Sequence, residues 1–136
     1  MADFSTRIMT CYDPDFYSVM GPFLSRREIV KEIGGPIWDE PDKVWFVRTC
    51  PAGIAGFSAL QVRGQTAYLL SSYTLPAYRR QGIYTELLQE RLAFARKEGC
   101  SAACVTATAM SQPMLLAAGF REVGKRGRYT KMEIAL

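Results

Sequence analysis

Apolar and polar positions along the chain switch between two periods, and the switches divide it into elements. Phe4 to Thr10 alternates loosely and predicts a short strand. Asp13-Pro14 pairs an N-cap residue with a proline at the first helical position, so a short helix is expected from there to about Met20, interrupted by Gly21-Pro22. Ser25 with Glu28 three residues on fits a capping box; the helix it opens runs through Ile33 and ends at Gly34-Gly35-Pro36. An acidic loop, Ile37 to Lys43, leads into two β-rich runs, Val44–Thr49 and Ile54–Val62, separated by Pro51-Ala52-Gly53, with Gly56 read as a bulge. After Gly64 comes Ala67 to Leu75, an apolar run that reads as a buried strand and that Pro76 stops or splays.

Beyond it the period becomes helical. Ile83, Leu87, Leu88, Arg91, Leu92 and Ala95 share one face of a helix that reaches Glu98 and ends at Gly99. Ser101 to Thr106 is a small, apolar strand that follows a helix, so it is expected parallel to the strand before. Ser111 reads as the N-cap of a last helix that stops at Gly119. Phe120–Val123 and Tyr129–Ile134 then form a closing hairpin, turning at Gly124–Gly127. The order β-α-α-β-β-β-α-β-α-β-β predicts one α+β domain over residues 1–136. Its sheet is mixed but mostly antiparallel, of about six or seven strands, flanked by about four helices.

The stretch between the buried strand and the long helix carries the first chemical signal. Tyr78-Arg79-Arg80-Gln81-Gly82-Ile83-Tyr84-Thr85 places two arginines and a glycine where a helix begins. Helix starts expose N–H groups and a partial positive charge, and glycine lets backbone approach a ligand, so this is an anion site suited to phosphates. It is neither a dinucleotide fingerprint nor a P-loop, because G-x-G-x-x-G and G-K-[ST] are both absent.

Composition narrows the chemistry more than the fold. Of 136 residues, 49% are hydrophobic and 22% charged, as in an ordinary globular protein. No apolar run reaches the ~18 residues of a membrane span, and no secretory leader is evident, so a cytoplasmic protein is expected. Cys11, Cys50, Cys100 and Cys104 form no C-x-x-C pair and read as free thiols. There is no histidine, which removes Ser-His-Asp and Cys-His catalysis and histidine-ligated zinc; no metal site is expected. The net charge of +4 is a mild pull toward phosphate-bearing partners.

The element order and three local patterns resemble the GNAT superfamily of acetyl-CoA-dependent N-acetyltransferases. Leu75-Pro76-Ala77-Tyr78-Arg79-Arg80-Gln81-Gly82-Ile83 is similar to that family's pyrophosphate motif. Leu116-Ala117-Ala118-Gly119-Phe120 is similar to its helix-then-Gly-Phe step, and the closing hairpin ends the chain as in the family. The resemblance implies acetyl-CoA or another acyl-CoA as co-substrate. Arg79, Arg80, Gln81, Gly82, Ile83, Tyr84 and Thr85 would cradle its pyrophosphate. The pantetheine arm would lie near Tyr73, Thr74 and Leu75, beside a bulge in the fourth strand, where one backbone N–H would hold the oxyanion. It also implies direct transfer of the acyl group to an amine.

The departures from the family bear on proton transfer. Its motif ends in Gly or Ala where this chain has Tyr84. The tyrosine that often serves as acid four residues before Gly-Phe is here Leu115. The fourth-strand Glu that often serves as base has no counterpart, because no Asp or Glu occurs between Lys43 and Thr85. Tyr73 and Ser111 are the candidate catalytic side chains that remain, with Ser71, Ser72 and Tyr129 as further polar residues near the centre. Each has a structural alternative: Tyr73 as a core aromatic, Ser111 as a helix cap. Asp39, Glu40 and Asp42 are either a remote base or a solvated loop, Trp38 either lines an acceptor pocket or anchors that loop, and Cys104 reads as core.

The acceptor is expected to be a small-molecule, peptide or nucleobase amine. The missing carboxylate favours an amine of low basicity, or a base that works through water. Lys125, Arg126, Arg128 and Lys131 leave open a weak nucleic-acid contact through the hairpin, and with it a nucleobase acyltransferase of phage type. A non-catalytic coenzyme A-binding protein of the same fold is the third reading. Homodimers are common in the superfamily, and no residue here demands one.

Overall fold

A computed structural model describes residues 3–33 and 37–136. The elements are β1 (Ser5–Met9), α1 (Phe16–Leu24), α2 (Arg27–Ile33), β2 (Lys43–Cys50), β3 (Gly53–Arg63), β4 (Thr66–Thr74), a 3-10 turn (Pro76–Tyr78), α3 (Ile83–Lys97), β5 (Ala102–Ala107), α4 (Gln112–Ala117), β6 (Arg121–Arg126) and β7 (Tyr129–Ala135). The strands form one seven-stranded sheet in the order β1-β2-β3-β4-β5-β7-β6. β1 and β2, β5 and β7, and β6 and β7 pair antiparallel. β4 and β5 pair parallel, because the connection between them is the crossover helix α3. The α+β class, the strand and helix counts and the element order agree with the sequence reading. Among the described residues no helix is long and apolar enough to cross a membrane.

The chain divides into two compact units, to which β3, β4 and α3 each contribute. The first holds residues up to Ala59 and Ser71–Leu87. Its core is a run of aromatic rings: Phe16 lies 5.9 Å from Trp45, Trp45 6.0 Å from Phe57, Phe57 5.9 Å from Tyr73, and Phe23 6.0 Å from Phe57. Strand alternation places Trp45 and Val47 on one face of β2, and both are buried. The second unit holds Leu60–Leu70 and Leu88–Leu136. It buries Leu88, Leu92 and Ala95 of α3 with Ala103, Leu115, Phe120 and Met132. There Ser101 N–H donates to the Gln65 carbonyl at 2.7 Å and Leu136 N–H to the Ser101 carbonyl at 2.9 Å, which fixes the ends of β5 and β7.

Local signals misplaced several boundaries. α1 begins at Phe16, because the Asp13 carboxylate turns back to accept from Thr10 N–H at 2.7 Å rather than capping forward. It continues through Gly21-Pro22 to Leu24. The helix tolerates the proline because its last turn delivers Phe23 to Phe57. Ser25 does not open a capping box. It closes α1, its hydroxyl donating to the Gly21 carbonyl at 3.2 Å, and α2 starts two residues later. The expected helix end at Gly34-Gly35-Pro36 lies outside the described residues. Gly124 is not a turn residue: β6 runs through it to Arg126, with a register shift between Glu122 and Gly124.

Candidate active site

β4 carries the irregularity that shapes the site. Its parallel ladder with β5 runs from Thr66↔Ala102 to Leu69↔Val105, and β4 then continues to Thr74. Just past the ladder Ser71 adopts φ +52, a left-handed conformation that side-chain-bearing residues seldom hold. Ser71 therefore marks a local kink in β4, two residues before Tyr73.

Gly56 on β3 is a point of close approach. A Cβ there would meet the Tyr73 carbonyl oxygen at 2.9 Å, Ile83 Cγ2 at 3.0 Å and Thr74 Cα at 3.3 Å. The adjacent Ala55 carbonyl accepts Leu75 N–H at 2.9 Å, so β3 holds the end of β4 and the first residue of α3 together.

The turn that follows is built from backbone. Pro76–Tyr78 makes one 3-10 turn, with Tyr78 N–H on the Leu75 carbonyl at 2.9 Å. Arg79 is extended, Arg80 is left-handed at φ +63 and Gly82 at φ +79. α3 closes its first bond from Glu86 N–H to the Gly82 carbonyl at 2.9 Å. A helix leaves its first N–H groups without intrahelical acceptors, those of Ile83 and Thr85 among them. Arg80 and Gly82, left-handed on either side of Gln81, turn the backbone into this helix start, the end of α3 that favours an anion. Arg80, Gln81 and Gly82 are exposed. The space a Gly82 side chain would take is open to 4 Å, so a phosphate can approach the backbone.

The Arg79 guanidinium is engaged away from that helix start. Nε donates to the Thr74 carbonyl and Nη2 to both carboxylate oxygens of Glu32, each at 2.9 Å, and the group lies 5.5 Å from the Tyr73 ring centroid. It is a clamp from α2 to the end of β4. Nothing in the sequence couples Glu32 to a residue 47 positions later. Tyr78 is likewise held, with the Cys50 thiol 3.5 Å from its hydroxyl and Phe4 edge-on at 6.1 Å.

Among the catalytic candidates, Tyr73 is buried, and its described contacts are through its ring, to Phe57 and Arg79. Ser111 sits at the N-cap of α4 in the second unit, but its hydroxyl accepts from Thr108 N–H at 3.1 Å instead of capping forward. Leu115, where the family often has tyrosine, is fully buried. Asp39 is bound by the Tyr17 hydroxyl, which anchors the acidic loop to α1. Cys104, expected in the core, is only half-buried; partial burial and the Glu133 carboxylate push its thiol up. The Tyr129 hydroxyl accepts from Arg128 at 3.1 Å.

One group was missed. Lys43 is 4% exposed, its Nζ donating to the Trp38 carbonyl at 2.8 Å and to Ser71 Oγ at 3.0 Å. Trp38 anchors this loop through its backbone while its own side chain stays exposed. Lys43 shares a strand face with Trp45 and Val47, the signal that could have marked it as inward-facing.

The sequence pattern of the acetyltransferase (GNAT) family matches residues 7–120, from within β1 to the residue before β6. The chain belongs to the GNAT acetyltransferase family. Its fold is similar to that of the PaiA N-acetyltransferase from Thermoplasma acidophilum in complex with coenzyme A, at a TM-score of 0.72 and 15% identity over 98% of this chain and 99% of that one. A GNAT-family acetyltransferase from Staphylococcus aureus Mu50 superposes at 0.72 with 14% identity, covering 97% and 99%. An acetyltransferase from Trypanosoma brucei gives 0.70 with 18% identity, covering 91% and 96%. A search of curated proteins found no match.

For a GNAT chain the Arg79 clamp makes a testable statement. Arg79→Lys should weaken acetyl-CoA binding about as much as Arg79→Ala, each by about tenfold. A lysine cannot bond the Thr74 carbonyl and both Glu32 oxygens from one planar fork. Titration calorimetry on the two variants checks it; a lysine variant that binds like wild type would show that only the charge matters.

Proposed function

We propose that this chain is an acyl-CoA-dependent N-acyltransferase that passes the acyl group directly from the coenzyme A thioester to an amine. The observation that carries the reading is the left-handed pair Arg80 and Gly82 opening α3, beside a β4 that runs past its ladder with β5. The pyrophosphate would sit on the N–H groups of the Gly82–Thr85 turn, where the helix dipole favours negative charge. The pantetheine arm would lie along β4 from Ser71 to Thr74 and add strand-like hydrogen bonds. A β4 N–H beside the kink would hold the oxyanion of the tetrahedral intermediate; in other enzymes one such donor is worth ~3 kcal/mol.

The acceptor must attack as a neutral amine, so the reaction needs a route for one proton before attack and for another to reach the leaving thiolate. Tyr73 offers its ring rather than a described hydroxyl contact, and Ser111 is held by Thr108. The acceptor's proton therefore needs another receiver.

Calorimetric titration of acetyl-CoA and free coenzyme A tests the reading. Wild type is expected to bind both at micromolar concentration. Gly82→Val is expected to bind each at least tenfold more weakly, since a β-branched residue does not hold φ +79 and its shift turns the N–H groups away. A folded wild type that binds neither would overturn it.

A further inference from the structure

β2 opens with a charge on the face that buries Trp45 and Val47. Lys43 stands in register with the buried Trp45 and Val47, and its nitrogen lies 4.6 Å from the centroid of the Trp45 ring. Its hydrogen-bond acceptors are the Trp38 carbonyl and Ser71 Oγ, and neither is a carboxylate. The charged groups that act on it are Asp39 and Glu40 in the loop before β2. They favour the ammonium, burial disfavours it more strongly, and the group is lowered to about 8. Asp39 is itself bound by Tyr17. β4 presents the Ser71 hydroxyl and β2 the Trp45 ring, neither of which titrates near neutrality.

A neutral lysine has two N–H donors and one lone pair. The ammonium places one N–H on the Trp38 carbonyl and another on Ser71 Oγ; once a proton leaves, rotation about Cε–Nζ keeps the first bond and turns the lone pair to Ser71, whose O–H then donates to it. The hydroxyl it touches belongs to the left-handed residue of β4, at the kink where the thioester lies under the acyl-transfer reading. From Lys43 to Thr85 there is no Asp, Glu or His to compete for the task.

We propose that Lys43, acting through the Ser71 hydroxyl, receives the proton of the acceptor ammonium and so sets the acceptor class as basic primary amines. This rests on the acyl-transfer reading. Ser71 Oγ takes one proton from R–NH3+ and passes its own to Lys43 Nζ. The freed lone pair forms the C–N bond at the thioester carbon while the carbonyl electrons move to oxygen. On collapse the C–S bond breaks, the second proton on nitrogen goes to the coenzyme A thiolate, and Lys43 returns its proton to solvent. Ser71 is the group in contact with the acceptor, and Lys43 positions and charges it.

The test uses two probes with acetyl-CoA: hydroxylamine, neutral at pH 7, and 2-phenylethylamine, an ammonium there. Thiol release is followed from pH 6.5 to 9.5 in wild type, Lys43→Arg and Ser71→Ala. Arginine keeps the charge and the bulk but does not give up its proton. Both variants are expected to lose about 100-fold with 2-phenylethylamine at pH 7, the low end of what a positioned proton acceptor contributes, and little with hydroxylamine. The wild-type rate for 2-phenylethylamine should flatten near pH 8, whereas in the variants it should climb on toward the amine's own ionisation.

Equal loss with both probes, or a Lys43→Arg profile like that of wild type, would overturn the proposal. So would a wild type that binds acetyl-CoA yet transfers nothing to 2-phenylethylamine. A wild type that neither binds acetyl-CoA nor releases thiol would instead overturn the acyl-transfer reading beneath it.

Discussion

Gly56→Ala is expected to lower the stability of this domain by about 2–3 kcal/mol and its melting temperature by about 10 °C. The added methyl would stand 2.9 Å from the Tyr73 carbonyl oxygen and 3.3 Å from Thr74 Cα, both backbone atoms, and 3.0 Å from Ile83 Cγ2. A side chain can rotate away from such a contact, but β4 cannot without giving up the Leu75 N–H bond to the Ala55 carbonyl. The expected cost lies in the upper part of the range for overpacking because two of the three neighbours cannot yield cheaply. Relief would push Tyr73 and Thr74 off β3 and move the turn at Arg80–Gly82, so acetyl-CoA affinity should fall with stability. Thermal melts and calorimetry on the same variant check both. A Gly56→Ala protein as stable as wild type would mean that β3 and β4 are not held as close as this geometry requires.

Lys43→Met should have the opposite sign at neutral pH. The Lys43 ammonium is lowered from 10.5 to about 8 because burial penalises the charged form. Below pH 8 native and unfolded chains both carry the proton, and the native state bears the whole penalty, on the order of 3 kcal/mol for a shift of this size. Between pH 8 and 10.5 the unfolded chain binds more protons than the native one, so wild-type stability from this group rises with pH. Above 10.5 the penalty is gone. Methionine of similar length removes the charge but also the bonds to the Trp38 carbonyl and Ser71 Oγ, worth about 1 kcal/mol each at most. The variant should therefore be more stable than wild type by about 1–2 kcal/mol at pH 7 and lose that advantage by pH 10. Denaturant titrations at the two pH values measure it. A difference that does not change with pH would show that the Lys43 nitrogen keeps an ordinary lysine ionisation in the native state. Retaining a destabilising buried charge beside the β4 kink is what a lysine selected for chemistry rather than stability would look like.

Much of the site's frame was legible because it rests on local rules. The Arg79–Gly82 turn lies between an apolar run and a helical period, and both period changes are visible in the residues themselves. Pro76 and Gly82 mark where the backbone must leave the strand and enter the helix. The local rules failed where a side chain had two backbone groups to choose from. Asp13 and Ser25 each carry the chemistry of an N-cap, but Asp13 bonds back to Thr10 and Ser25 back to Gly21. Pro22 likewise gave way to the packing of Phe23 on Phe57.

By itself the sequence determined the order of strands and helices, the basic, glycine-bearing turn before α3, and the absence of the histidine and strand carboxylate that proton transfer usually uses. These depend on residue identity and near neighbours. Only the tertiary structure decided that Arg79 is spent on Glu32, that Gly56 lies against the end of β4, and that Lys43 reaches Ser71. Each joins residues 17 to 47 positions apart, and no periodicity encodes which side chain another element will bring against it. The proton route we propose rests on a contact made there, by a lysine whose ammonium burial weakens.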